Sequence, residues 1–221
     1  MRWVRGVAEA CALVVVTLVL FAVVGVMIPL PQPGVNTDRL GPDNGETVAN
    51  YTSRSVQSVQ DAAADEDLHW ALVSFAAATS PATAYESAGG TRIAQVLIRV
   101  PMDRVQTPSI VVGVPGTEQS VLASEDTAAS GLHGSTGQWD RQSQIDAASL
   151  PRLAAGCDCV VGLVVHASGI SLRSIQATSG VRTVEALPSD AVAGRFAVRA
   201  LLPDYVDVVG ALPDDGPIPP P

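Results

Sequence analysis

The chain has 221 residues, of which 47% are hydrophobic and 4% aromatic, and its 22 acidic and 13 basic residues give a net charge of −9. An acidic chain without clustered lysines or arginines lacks the means to neutralise a row of phosphates, so this composition excludes nucleic acid as a partner. Its three cysteines are too few for the disulfide framework of a small secreted domain. The fold must therefore rest on one ordinary hydrophobic core.

An uncharged apolar run at residues 10–30 is the strongest signal near the N-terminus. About 20 apolar residues match the hydrocarbon thickness of a bilayer, and the run is longer than the apolar region of a signal peptide, which has about 7–15 residues. The run therefore predicts an uncleaved transmembrane anchor, in preference to a buried helix or a cleaved signal. Because Arg2 and Arg5 precede it, the positive-inside rule places residues 1–9 in the cytoplasm and the later residues outside the cell membrane.

Composition divides the exported part into three regions. Prolines and glycines at 31–42 predict an extended stalk. Residues 43–203 form the predicted extracytoplasmic α+β domain, with an insertion at 102–156. The acidic, proline-rich residues 204–221 predict an extended tail outside the fold.

The first predicted element of the domain is a helix over 44–66. Asp43 followed by Glu46 is typical of a capping box, and apolar residues then recur at helical spacing. An acidic run closes this helix and comprises Asp61, Asp65, Glu66 and Asp67. Because the spacing of a calcium loop is absent, the run indicates a solvated helix end that frays or receives an external cation.

Two strand–helix–strand units follow along the chain. The first comprises a strand at 68–75, a helix at 81–87 and a strand at 92–100; the second comprises a strand at 159–166, a helix at 170–178 and a strand at 181–187. Their repetition predicts a ferredoxin-like split β-α-β sandwich, with four antiparallel strands and the helices on one face. Residues 194–202 alternate in hydrophobicity and predict an added strand at an edge of this sheet.

The insertion between the two units is rich in polar residues, with helices predicted near 118–129 and 138–148. An insertion of this length is usually a packing element or a binding loop. His133 is followed by a Gly-Ser-Thr-Gly stretch at 134–137. That stretch lacks the motifs of a serine nucleophile elbow and of a phosphate loop, so it predicts a solvated loop.

Cys157 and Cys159 are the sharpest local candidates for chemistry. Thiolates bind soft metals, and residues two apart in a strand share a face. His166 would lie about 20 Å from Cys159 along the same strand, so a third ligand is lacking for a structural metal site, which needs about four. A disulfide between the two cysteines, or a pair of buried thiols, is the preferred interpretation. His69, His133 and His166 are far apart in sequence and are interpreted as structural; no cofactor is predicted.

Four stretches carry a resemblance to known proteins: ALVSF at 71–75, VLIRVP at 96–101, GVRTVEALP at 180–188 and LLP at 201–203. With them the chain resembles uncharacterised single-pass membrane proteins of high-GC actinobacteria. The resemblance covers most of the predicted exported domain. It implies no particular activity and assigns no functional residue.

The sequence predicts an anchor, a stalk and a compact domain, and it shows no catalytic constellation. This combination predicts a non-enzymatic scaffold or accessory subunit that contacts another protein of the cell envelope. An exposed apolar patch or a free sheet edge would favour this prediction. The alternative is an extracytoplasmic sensor of a small molecule or metal, with Cys157, Cys159 or His133 as polar contacts. An extracytoplasmic hydrolase ranks last. A deep pocket with two convergent ionisable groups would favour the sensor or the hydrolase.

Overall fold

The structure of this protein is a computed structural model that describes residues 38–221. The predicted cytoplasmic residues 1–9, the anchor at 10–30 and most of the stalk lie outside the described residues. Within 38–221 no helix is both long enough and apolar enough to cross a membrane. These residues form a mixed α+β fold with a five-stranded antiparallel sheet and six helices.

The elements are numbered in chain order. The helices are α1 (Val48–Ala62), α2 (Pro81–Ser87), α3 (Glu118–Leu122), α4 (Ser124–Leu132), α5 (Arg141–Ala155) and α6 (Gly169–Gln176). The strands are β1 (Arg39–Leu40), β2 (Leu68–Thr79), β3 (Arg92–Ile98), β4 (Ile110–Gly113), β5 (Val160–Ser168), β6 (Val181–Ala186) and β7 (Ala197–Val198).

The sheet has the strand order β4-β3-β5-β2-β6, and every neighbouring pair is antiparallel. The two predicted strand–helix–strand units are present as β2-α2-β3 and β5-α6-β6. They interleave, because β5 lies between β2 and β3 while β2 lies between β5 and β6. In the central β2–β5 pair of the sheet, Leu72 lies opposite Val164.

The predicted start of the first helix is wrong by several residues. Thr47 is the N-cap, because its hydroxyl oxygen accepts a hydrogen bond from the amide of Asn50 at 3.2 Å. Asp43 instead donates its own amide to Glu46 at 2.8 Å, which closes a turn before the helix. The helix also ends earlier than expected, at Ala62.

The added edge strand is not at residues 194–202. Only Ala197–Val198 forms a strand there, and it pairs in parallel with Arg39–Leu40 in a separate two-stranded sheet. The following residues cross a face of the main sheet, where Leu201 is fully buried and its amide donates to Ser74. The added edge strand is β4, from the insertion, which the sequence analysis did not predict.

Both faces of the sheet are buried. Val73 and Leu163 belong to the core between the sheet and the helices. Leu72 and Val164 point to the other face, into a second core with the irregular C-terminal residues. This follows from the period of two along a strand, which sends neighbouring side chains to opposite faces.

The C-terminal residues pack on the domain, contrary to the expectation of a tail outside the fold. Val209 is fully buried, and its carbonyl accepts the amide of Gly45 at 2.7 Å. The carboxylate of Asp214 forms an ion pair with Arg141 at 2.9 Å. Two of the acidic residues that suggested a solvated tail, Asp214 and Asp215, are thus paired with Arg141 and Arg104 of the insertion.

Candidate functional site

Helix α1 closes the β6 edge of the sheet with a buried polar cluster around Glu185. The Glu185 side chain accepts hydrogen bonds from the Tyr51 hydroxyl at 3.1 Å and from the Gly41 amide at 2.5 Å, and it forms an ion pair with Arg54. Burial raises the pKa of Glu185 above its ordinary value, although the Gly41 amide and the charge of Arg54 act to lower it. The cluster ties α1 and the preceding turn to the sheet.

A second contact satisfies the backbone at the same edge. The Ala186 amide points away from β2 and donates to the Ser58 hydroxyl of α1 at 2.9 Å. An edge amide that is bonded by a helix side chain offers no template to another strand. The β6 edge is therefore covered.

His69 fixes the chain where it leaves β6. One ring nitrogen of His69 lies 2.8 Å from the Leu187 carbonyl oxygen and the other lies 2.9 Å from Asp65. Burial acts to lower the pKa of His69, but the hydrogen bonds to these two acceptors and the charge of Asp65 raise it above its ordinary value. Both nitrogens are occupied, so His69 has no free nitrogen to activate a nucleophile.

The opposite edge of the sheet, at β4, is open. The Val114 amide donates to Ala94 of β3 at 2.9 Å, and alternation along the strand then directs the amides of Val111 and Gly113 away from β3. No strand among residues 38–221 pairs with this outer side. The Val111 side chain is 49% exposed.

Cys157 and Cys159, the predicted candidates for chemistry, lie immediately before β5. A disulfide joins Cys157 and Cys159, whose Cα atoms are 5.3 Å apart. Glu125 of α4 lies against them: its carboxylate accepts the Cys157 amide at 3.2 Å, and one of its oxygens is 3.7 Å from the Cys157 sulfur. One side-chain atom from each of the three residues lies within 4.8 Å of the other two.

Glu125 is buried, with 5% of its surface exposed. Burial raises the pKa of the Glu125 carboxyl, and the charges of Asp158 and Asp126 raise it further against the lowering effect of the Cys157 amide. Burial therefore favours the protonated form of this carboxyl, which lies beside the Cys157 sulfur.

A groove of about 560 Å³ runs beside the disulfide. The residues that line it are Val100, Pro101, Arg152, Ala155, Gly156, Cys157, Asp158 and Cys159. Cys157 is half-buried whereas Cys159 is fully buried. Cys157 is therefore the more exposed of the two cysteines that line the groove.

The disulfide contributes little as a cross-link, because it spans a single intervening residue. In the chain-entropy description, a closed loop of three residues is worth about 1.6 kcal/mol, compared with about 3 kcal/mol for 15 residues. Its chemistry is thus a better guide to its role than its stabilising effect.

The other predicted candidates do not join this group. His133 is exposed in the loop after α4. The ring of His166 stacks on Trp70 with 4.4 Å between centroids. Glu125 was not predicted, because in the sequence it resembles an ordinary acidic residue of a helix's first turn. Only the three-dimensional contact with Cys157 distinguishes it.

Comparison with known proteins identifies no family for this chain. No protein-family model, no curated protein and no solved structure matches it.

Proposed function

We propose that this protein is a membrane-anchored, extracytoplasmic scaffold or accessory subunit, without enzymatic activity in that role, and that β4 is the strand through which it contacts another envelope protein. Residues 10–30 would hold it in the cell membrane, with residues 1–9 in the cytoplasm. The observation that carries the proposal is the uncovered outer side of β4.

We also infer that the domain belongs to the ferredoxin-like split β-α-β class. The order β3-β5-β2-β6 of the two interleaved units supports this assignment, with β4 added beside β3. Strand β4 extends the sheet beyond β3, so the unpaired edge of the sheet is a strand of the insertion. The insertion therefore supplies the proposed contact strand.

The backbone groups at the β4 edge favour an extended protein segment as the binding partner. Outward amides and carbonyls at Val111 and Gly113 can form a new antiparallel or parallel ladder, as in recognition by strand addition. The exposed Val111 side chain adds an apolar contact. The partner is therefore expected to supply a strand with an apolar residue opposite Val111.

Photo-crosslinking in whole cells tests this function. A photoreactive amino acid is placed at Val111 in the full-length chain, and a matched variant carries it at Val56, which is 37% exposed on α1 at the covered edge. We expect a reproducible adduct with another membrane or envelope protein from position 111, at least about tenfold above position 56.

Two results would overturn the proposal. Equal yields from the two positions would mean that the β4 edge is no preferred contact. An adduct formed only with a second copy of this chain would replace the accessory role with self-association.

A further inference from the structure

We propose that Cys157 and Cys159 form a redox-active disulfide that exchanges with the thiols or disulfide of another protein, and that Glu125 transfers the proton in this exchange. This inference concerns the start of β5 and does not depend on the proposed contact at β4. The dithiol or disulfide of the partner protein is the co-reactant.

The unequal burial of the two cysteine residues is our basis for assigning where the exchange begins. Cys157 is half-buried at the groove, whereas Cys159 is fully buried beneath it. Exchange requires a thiolate to approach a disulfide sulfur. Cys157 is therefore the sulfur that is attacked, and Cys159 is the leaving group.

The position of Glu125 provides the proton transfer. Its carboxylate is held by the Cys157 amide at 3.2 Å, and an oxygen lies 3.7 Å from the Cys157 sulfur. The same carboxylate is within 4.8 Å of the Cys159 sulfur. One buried carboxyl can thus serve either sulfur, and its raised pKa is consistent with that role.

The reaction balances as two successive exchanges. A thiolate of the partner attacks the Cys157 sulfur and forms a mixed disulfide, while the bond to Cys159 breaks and the Cys159 thiolate takes the proton of Glu125. The second thiol of the partner loses its proton to solvent. The resulting thiolate attacks the partner's first cysteine sulfur, which is bonded to Cys157 in the mixed disulfide. Cys157 leaves as a thiolate and takes a proton from solvent, and Glu125 regains its proton from solvent. Two electrons pass from the partner's dithiol to this cysteine pair, and the partner becomes a disulfide.

The reverse reaction uses the same groups. In the disulfide form a Glu125 oxygen lies 3.7 Å from the Cys157 sulfur, so in the reduced protein we expect that carboxylate to accept the Cys157 thiol proton. The resulting Cys157 thiolate attacks a partner disulfide, and Cys159 then resolves the mixed disulfide. The groove beside Cys157 has space for the chain that flanks a partner cysteine.

The test uses the detergent-solubilised full-length protein in glutathione buffers, with free thiols alkylated and counted by mass spectrometry. We expect the pair to pass reversibly between disulfide and dithiol while circular dichroism stays constant. Glu125→Gln should slow reduction by glutathione at least about tenfold. Asp126→Asn, which removes the neighbouring exposed charge, should change the rate less than about twofold.

A second variant tests the assignment of the two sulfurs without depending on Glu125. In Cys159→Ser, Cys157 should accumulate a mixed disulfide with glutathione, and in Cys157→Ser, Cys159 should accumulate much less. The proposal is wrong if the disulfide is reduced only when the protein unfolds, if Cys157 and Cys159 trap glutathione equally in the two variants, or if Glu125→Gln and Asp126→Asn react at the same rate.

Discussion

At the β6 edge, helix α1 lies alongside the strand and Ser58 accepts the outward amide of Ala186, whereas at the β4 edge the outward amides of Val111 and Gly113 meet no strand of the described domain. Natural sheets protect their edges, because a free edge is a template for another chain. The covered edge also carries a buried ionic cluster, while the open one carries an exposed valine. This difference is the reason we propose β4 as the strand that contacts a partner.

Removing the centre of the buried cluster should have the largest effect on stability. In Glu185→Ala the Tyr51 hydroxyl and the Gly41 amide lose their acceptor, and Arg54 loses its ionic partner. We expect the free energy of unfolding to fall by about 3 kcal/mol, measured by urea denaturation. The exposed Glu86→Ala of α2 is the control and should stay within about 0.5 kcal/mol of the parent. Equal losses would show that the cluster does not secure this edge.

A smaller loss should follow when only the covering hydrogen bond is removed. Ser58→Ala leaves the Ala186 amide without its acceptor, which should cost about 1 kcal/mol. Alanine is a better helix former than serine, so either substitution gains some stability from helix propensity alone. Ser53→Ala, at an exposed position of the same helix, measures that contribution. Indistinguishable denaturation midpoints for the two variants would contradict the role of Ser58.

Raising the pH should weaken the covered edge where the chain leaves β6. The pKa of His69 is raised in the folded protein, so the stability it contributes is fully present below its unfolded pKa of about 6.5 and is lost as pH rises through the folded pKa. Water screens the half-exposed Asp65 partner, so we expect a smaller effect than for Ser58→Ala. In the parent protein the denaturation midpoint should fall as pH rises above about 6.5, and this fall should be smaller in His69→Gln. The control variant His133→Gln should show the same fall as the parent. If the fall persists in His69→Gln, groups other than His69 cause it.

The smallest effect on folding is expected at the open edge. Val111→Pro removes an amide that points away from β3, so it breaks no ladder bond, and proline is tolerated on edge strands. We expect the free energy of unfolding to change by about 0.5 kcal/mol or less. Val112→Pro, whose amide faces β3 in this register, should cost about 3 kcal/mol. Similar losses in the two variants would mean that the outer side of β4 is not free.

Local signals in the sequence predicted the elements that depend on neighbouring residues. Ser80 and Pro81 correctly located α2, because a cap and a first-turn proline act within one turn. The repeated units were also found from their short apolar strands. In contrast, Thr47 displaced Asp43 as N-cap of α1, since both residue types can cap and the surrounding packing selects one.

Features that depend on distant contacts could not be predicted. β4 has only four residues and becomes a strand through its register with β3. Glu125 and Cys157 are 32 residues apart, so their contact follows from how the insertion folds back on β5. The C-terminal residues were misassigned because their acidic, proline-rich composition does not reveal the arginines that pair with them.

Removing the outward amide of Val111 in the full-length protein tests whether β4 is the contact strand. Whole cells that express tagged Val111→Pro or Val111→Thr are cross-linked, and the proteins that co-purify from solubilised membranes are quantified by mass spectrometry. Threonine keeps the amide and the branched shape, whereas proline removes the donor. The two variants are compared at equal levels in the membrane. We expect the protein found by photo-crosslinking at position 111 to be recovered with Val111→Thr, and its recovery with Val111→Pro to be at least about tenfold lower. Equal recovery with both variants would contradict the proposal that β4 is the contact strand.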